Sequence, residues 1–478
     1  MSHLFEFPLE LPAPGSRQRQ AALHTQLRAA ILDGRLKPGL RLPATRELAQ
    51  SLGISRNTVV AAYDLLLSEG YVVARHGAGN FVADMASRSA SRATALPDDQ
   101  RLAPYWRQPV TLPVRPPRDD GDDFRVGTPD VLRFPYDEWR RLSARAMRAL
   151  SRSRTLHVDP QGQASLREAI ARHVSFARAV ACEAADVLVT CGAQQAFNLL
   201  ARVLVTPGRT VLAVENPGYP PLRAVFEAAG AEIVPVPVDE QGLVVEAIPA
   251  RANIVYVTPS HQFPLGMPLS PARRTALLAF ARARGATIIE DDYDGEFRYG
   301  GRPLDALQTL DRNGSVCYVG TFSKCLFPAL RLGYVVLPPW LHEAMAHAKW
   351  LSDGHGDVLS QETLAAFIAE GHLVRHIRKM RKIYADRREQ LLLALERHAG
   401  GLLEAMPVDA GLHMAARAAP DIDVTAWTRN AAAEGIRVED LARYGLGDHG
   451  WHGMPLGFGL IDATRIDSAI HRAVALLR

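Results

Sequence analysis

Of the 55 lysines and arginines in this 478-residue chain, five are lysines: Lys37, Lys324, Lys349, Lys379 and Lys382. A Schiff base needs a lysine amine, so the choice is narrow. Lys324 follows the apolar run SVCYVGTF, where loss of solvent disfavours the ammonium and favours the neutral, nucleophilic amine. The other four fall in polar helical or turn contexts. Ser323 and Arg331 flank Lys324 with a hydroxyl and a guanidinium, both suited to a phosphate. The string IIEDDYDGEF sets carboxylates directly after a second apolar run. Asp291, with Asp292 as the second choice, can keep a ring nitrogen protonated, and Tyr293 can reach a ring hydroxyl. In VLVTCGAQQAF the backbone N–H groups of Ala193 and Gln194 open a helix and can cradle a phosphate. Tyr219, in ENPGYP, can stack on a ring face. A lysine, a carboxylate, an anion cup and an aromatic clamp together suit a phosphorylated heteroaromatic aldehyde.

A second set, near the start of the chain, has different chemistry. In SRNTVVAAYDLLLSEG, Val59, Ala62, Tyr63, Leu66 and Leu67 form an apolar helical face. The first turn, Arg56, Asn57 and Thr58, stays polar and offers donors to base edges and phosphates in a DNA major groove. Thr45 is placed to cap the preceding helix ATRELAQSL, Gly53 to end it, and Ser55 to cap the next. Helix, Gly-containing turn and helix make a helix-turn-helix unit. Ahead of it, QAALHTQLRAAILDG carries Ala22, Leu23, Leu27, Ala30 and Ile31 on one face. After it, YVVARHGAGNFV reads as strand, turn, strand: a wing with Arg75 and His76 at its tip, where Gly77 and Gly79 permit close approach to a phosphate. Between residues 17 and 82, nine basic side chains face four acidic ones, a moderate footprint for nucleic acid.

The elements that must position these groups follow from the pattern. The head is predicted over residues 1–83. Residues 84–121, rich in Ala, Ser, Arg and Pro and without periodicity, read as a linker. From 122 to 478, apolar runs (VLVT, TVLAV, NIVYVTP, ATIIED, SVCYVGTF) alternate with amphipathic helical stretches. That alternation predicts an α/β domain with a mostly parallel sheet, followed after about Pro339 by a helix-rich, smaller subdomain. No internal repeat occurs.

Composition narrows the class. With 47% hydrophobic residues, 22% charged and mean hydropathy of −0.06, the chain can bury large cores. The net charge of +4 is too small to imply nucleic acid by itself. The four cysteines, Cys182, Cys191, Cys317 and Cys325, show neither a C-x-x-C pair nor metal-ligand spacing, and read as reduced thiols. No signal peptide and no apolar run long enough for a membrane span is found, so a cytoplasmic protein without a metal is expected.

The string LPATRELAQSLGISRNTVVAAYDLL, with EGY and FV following, closely resembles the GntR-type winged helix. The resemblance implies DNA contacts at Arg46, Ser55, Arg56, Thr58 and the wing glycine Gly77. Over roughly residues 124–478 the strings GAQQAF, ENPGY, TPSHQFPLG, EDDYDGEFRY and TFSK-x(6)-RLGY resemble fold-type I aminotransferases. Behind a GntR-type head they resemble the MocR/GabR family of transcription regulators. This implies pyridoxal 5'-phosphate held by Lys324 as an internal aldimine, and operator DNA binding that responds to the cofactor or to a small amine or amino acid. It also implies a head-to-tail homodimer in which each head packs across to the partner's large domain.

Two departures limit what carries over. Aminotransferases usually have an Asn-Pro-Thr-Gly string whose Asn bonds the cofactor's ring hydroxyl; here it is Phe263-Pro264-Leu265-Gly266, with His261 or Gln262 as stand-ins. The family's arginine clamp for a substrate carboxylate is replaced by Pro455 in Pro455-Leu456-Gly457-Phe458, with Arg437 or Arg443 as alternatives. The second departure argues against efficient amino-acid transamination. The reading is therefore a regulator with no assigned catalytic residue, retaining at most a transaminase half-reaction. The rival is an aminotransferase with a vestigial DNA-binding head.

Overall fold

The computed structural model describes residues 5, 7–13, 16, 18–75, 77–84, 101–107, 121–152, 159–300, 304–406 and 409–477. His76 of the expected wing tip, Arg17 and most of the expected linker lie outside them; a single 3-10 turn, Pro104–Arg107, is described in the linker stretch. The chain divides into two compact units, Met1–Pro109 and Val110–Arg478.

In the first unit, helices α1 (Arg19–Leu32), α2 (Thr45–Leu52) and α3 (Arg56–Ser68) precede strands β1 (Val72–Arg75) and β2 (Gly79–Val82). Their apolar faces meet in one core that includes Leu23, Leu27, Ala30, Val59, Ala62, Tyr63 and Leu66. Leu67 and Ala22 are only partly buried, at the margin of that face. Gly53 takes the left-handed conformation (φ 61°) that ends α2. Ser55 is extended and its side chain accepts from Thr58 N at 3.1 Å, capping α3 as expected. The expected cap at Thr45 is corrected. Ala44 is the extended residue before α2, and Thr45 is already helical, so its hydroxyl accepts instead from Arg56 Nε at 3.4 Å. β1 and β2 pair antiparallel from Val72↔Val82 to Arg75↔Gly79, and Arg41 bridges to Phe81, widening the wing at its base.

The second unit is built on an eight-stranded sheet. From one edge to the other its strands are Val187–Thr190, Gly333–Val336, Val316–Thr321, Thr287–Asp292, Ile254–Val257, Val211–Asn216, Glu232–Asp239 and Gly242–Leu243. The five from Val316–Thr321 to Glu232–Asp239 are mutually parallel; Gly333–Val336 runs antiparallel to both of its neighbours. Four of the five, Val316–Thr321 to Val211–Asn216, are buried at every position, as parallel strands covered on both faces must be, and so read as near-continuous apolar runs; Glu232–Asp239, one strand from the edge, is partly exposed. Leu212 and Val214 pack into the core on one face, Val211 and Ala213 into that on the other. After Pro339 come the helices His342–Asp353, Val358–Ala369 and His372–His398. A three-stranded antiparallel sheet (Leu403–Ala405, His413–Ala418, Gly453–Gly457) and the helix Ala463–Ala475 follow. Among the described residues, no helix is long and apolar enough to cross a membrane.

Candidate functional site

The site grows from the carboxyl ends of the parallel strands, where loops from different crossovers meet. Thr321, Gly333 and Thr190 stand opposite one another in register. This alignment gathers three loop segments: Ser323–Lys324, Arg331 and Cys191–Ala193.

Arg331 holds a left-handed backbone (φ 51°) and donates from Nη2 to Cys191 O at 2.8 Å. Gly192 caps the helix Ala193–Leu204 with φ 73°, and a Cβ there would stand 3.2 Å from the Arg331 guanidinium. A helix N-terminus headed by Ala193 and Gln194 thus has a cation held over it. Gln194 Nε2 donates to Pro221 O at 3.2 Å, so its side chain serves the loop and its backbone is what faces the cup. Ser323 lies at the same end, its N–H and hydroxyl both within bonding distance of Thr321 Oγ1.

Lys324 is partly buried, and its Nζ donates to Gly127 O at 2.6 Å. Desolvation lowers the amine's pKa, opposed by the nearby charges of Asp294 and Asp291. Gly127 has φ 67°, and a Cβ there would meet Lys324 Nζ at 2.9 Å, so the glycine both turns the chain and leaves room for the amine. Lys349, expected in a polar context, is instead 1% exposed. Its ammonium is neutralised by Asp353 one helical turn on, at 2.5 Å.

The adjacent aspartates are separated by their partners. Asp292 Oδ2 takes Arg178 Nε at 2.6 Å and Tyr318 Oη at 2.6 Å, a buried ion pair that fastens the strand end. Asp291 Oδ2 accepts from Tyr256 Oη at 2.7 Å, while Asp291 Oδ1 is buried with no partner. Burial first, then the Asp292 charge, push the Asp291 carboxyl up to about 7, against the Tyr256 hydrogen bond and Lys324.

Tyr293, Phe263 and Tyr444 form a small aromatic cluster with Tyr219 and Val126 packed on it. Tyr219 meets the Phe263 ring edge-on at 5.5 Å. Gln262 is fully engaged between two loops: Nε2 donates to Pro217 O, after the strand Val211–Asn216, and to Phe263 O, and Oε1 accepts from Leu265 N. His261 sits behind Tyr293, with Nδ1 2.9 Å from Tyr293 Oη. Pro455 lies in the small sheet opposite Ala415; Arg437 approaches Asp123 at 3.3 Å and Arg443 pairs with Glu439 at 2.9 Å.

Sequence reasoning missed Tyr256, Gly127 and Arg178. Tyr256 occupies a strand position indistinguishable from core, and Arg178 ends a helix whose far partner no local pattern reveals. Gly127, in RVGTP, carried a turn signal that went unused.

In the first unit, Arg46, Ser55, Arg56 and Asn57 are exposed and Thr58 partly so, around the start of α3. The Arg75 guanidinium lies 4.6 Å from the Phe81 ring centroid, and Gly77 turns the wing at φ 72°.

Comparison with known proteins covers both units. The model of bacterial regulatory proteins of the gntR family matches residues 19–82, and that of class I and II aminotransferases matches residues 123–443. The chain is 36% identical to the probable rhizopine catabolism regulatory protein MocR of Rhizobium meliloti, over 94% of this chain and 92% of that one. It is 33% identical to the pyridoxine biosynthesis transcriptional regulator PdxR of Corynebacterium glutamicum, over 96% of each. Among solved structures, the kynurenine aminotransferase of Pyrococcus horikoshii superposes with a TM-score of 0.69 at 27% identity, over 75% of this chain and 91% of its own. A winged-helix head followed by an aminotransferase-fold body, matched over more than nine-tenths of its length by named regulators, places this chain in the MocR/GabR-type family of HTH transcriptional regulators.

Proposed function

We propose that this regulator binds pyridoxal 5'-phosphate in the Lys324 pocket and couples its occupancy to operator DNA binding. The observation that carries the reading is Asp291 Oδ1, a buried carboxylate oxygen without a partner in the same pocket as the Lys324 amine. An unpaired buried acceptor is costly, and a protonated ring nitrogen is the donor that would relieve it. Arg331, the N–H groups of Ala193 and Gln194, and Ser323 suit the phosphate. Tyr219 suits the ring face and Tyr293 the ring hydroxyl. Bound, the cofactor supplies an aldehyde reactive toward primary amines and a cationic ring that withdraws electrons. The chain's part is to keep Lys324 desolvated, aim it with the Gly127 carbonyl, and hold Asp291 ready as a counter-charge.

Sensing rather than turnover is favoured by Pro455, which stands where a carboxylate-clamping arginine would be needed. The effector is then the cofactor itself or a small amine. The name of the PdxR relative, a pyridoxine biosynthesis regulator, is consistent with the first. In the head, Arg46, Arg56, Asn57, Thr58, Arg75 and Gly77 are proposed to meet DNA, with Ser55 both capping α3 and reaching a phosphate. We assign residues 1–83 to the head, 84–121 to the linker and 122–478 to the effector domain, in a cytoplasmic head-to-tail homodimer.

The test is the visible absorbance of purified protein with added pyridoxal phosphate, wild type against Lys324→Ala, before and after borohydride. It is followed by footprinting with and without the cofactor. A band that depends on Lys324, and a footprint that changes on cofactor addition, support the reading. A wild type that takes up no cofactor refutes it. Rapid turnover of a panel of amino acids would point to an enzyme instead.

A further inference from the structure

We propose that His261 and Asp294 form a buried dyad that sets the direction in which Tyr293 donates its hydroxyl proton, turning it toward the Lys324 pocket. The proposal rests on the cofactor reading above.

Asp294 uses both oxygens as acceptors: Oδ1 and Oδ2 face His261 Nδ1 at 3.0 and 3.1 Å, and Oδ2 also accepts from Leu412 N at 3.2 Å. A ring nitrogen facing two carboxylate oxygens must carry the proton. Tyr293 Oη lies 2.9 Å from that same Nδ1, which therefore has no lone pair to offer. Tyr293 can only receive from it, so its own proton must go elsewhere. Among the described residues no hydrogen bond from the Tyr293 hydroxyl to another acceptor is seen, so the proton is available to an acceptor beside Lys324.

The surroundings hold the dyad in this state. His261 and Asp294 are 2% and 1% exposed, and a Cβ on Gly411 (φ 79°) would overlap both the His261 ring and the Asp294 carboxylate. Gly411 is thus required for the ring to sit where it does. With the proton placed on Nδ1, the lone pair falls to Nε2, which is buried and unpartnered. It packs against His413, ring centroids 4.6 Å apart, whose Nε2 lies 3.2 Å from Pro264 O. That bond makes His413 Nδ1 a lone pair as well, and it too is unpartnered. The charged and titratable groups around Tyr293 are Asp291, Asp292, Asp294, Glu215, His261, His413 and, in its aromatic cluster, Tyr444 and Tyr219; Asp294 and Asp291 are also the charges that act on Lys324. His261 and Asp294 are positioning residues; they act on the cofactor only through Tyr293.

The experiment is a pH titration of the visible band of full-length protein loaded with pyridoxal phosphate. A tyrosine that donates to the ring hydroxyl oxygen stabilises its anion and lowers the midpoint. Tyr293→Phe should therefore raise the midpoint by about one pH unit or more. Asp294→Asn allows the amide to donate to Nδ1, reverses the ring's polarity and draws the Tyr293 proton back, so it should raise the midpoint equally. His261→Asn, which keeps an N–H at the Nδ1 position, should stay near wild type. A shift in Tyr293→Phe with a wild-type midpoint in Asp294→Asn overturns the dyad while leaving the cofactor reading intact. A wild type without a band overturns both.

Discussion

Tyr256 Oη donates to Asp291 Oδ2 at 2.7 Å, and Asp291 Oδ1 is left buried without a partner, whereas Asp292 beside it is spent on Arg178 at 2.6 Å. Two adjacent carboxylates of identical chemistry are thus assigned opposite duties by where the strand end points them. One anchors the fold and the other remains available.

The two should separate by mutation. Asp292→Asn leaves the Arg178 guanidinium buried against a neutral partner and should destabilise the protein by about 3–5 kcal/mol, read as a lower urea midpoint. Asp291→Asn should unfold close to wild type and instead lose cofactor affinity by tenfold or more, read by titrating the visible band. Exchange of these two phenotypes would reverse the assignment.

Cofactor-free stability should fall with alkali. Burial raises Glu215, Glu290 and Asp291 to about 7 and Glu296 to about 8. A raised carboxyl binds its proton more tightly folded than unfolded. Its contribution is therefore full below its ordinary value of 3.8 or 4.5 and is lost as pH rises through the folded value. Burial lowers His413 to about 3 and His173 and His376 to about 4; their opposite contribution grows from there and is complete by 6.5. Between pH 6.5 and 8 these carboxyls contribute roughly 1 kcal/mol each, opposed by the Lys324 amine, whose lowered value favours the folded state as pH rises. Urea midpoints should drop across that window, and less so in Asp291→Asn. A flat profile would contradict this.

In the head, Arg56→Ala should weaken operator binding and reduce the slope of log affinity against log salt by about one phosphate's worth. Ser55→Ala removes the acceptor of Thr58 N and should cost about 1 kcal/mol of head stability as well as affinity. An unchanged salt slope in Arg56→Ala would take that residue off the phosphate backbone.

Gly127→Ala should fold yet lose cofactor. The glycine's φ of 67° and the 2.9 Å approach of a Cβ to Lys324 Nζ both oppose a side chain there. Normal uptake of pyridoxal phosphate by this variant would show that the Gly127 carbonyl does not aim the lysine.

Local residue patterns alone carry the two-part plan and the chemistry on offer. A helix-turn-helix pattern is local, carried by Ser55, Gly53 and the polar first turn at Arg56–Thr58, so short-range propensity suffices to read it. Apolar runs of strand length likewise announced the sheet, and the scarcity of lysines singled out Lys324. What depends on residues far apart in the chain is set by how the elements pack. Only the crossing of strands shows that Asp291 meets Tyr256 while Asp292 meets Arg178, 114 positions away. Only packing shows that Lys349 is buried, that Gln262 is used up between its own loop and Pro217, and that His261 stands behind Tyr293 on Asp294. Hydrogen-bond polarity and desolvation are properties of a three-dimensional neighbourhood, and no pattern along the chain encodes which neighbour a buried polar group will find.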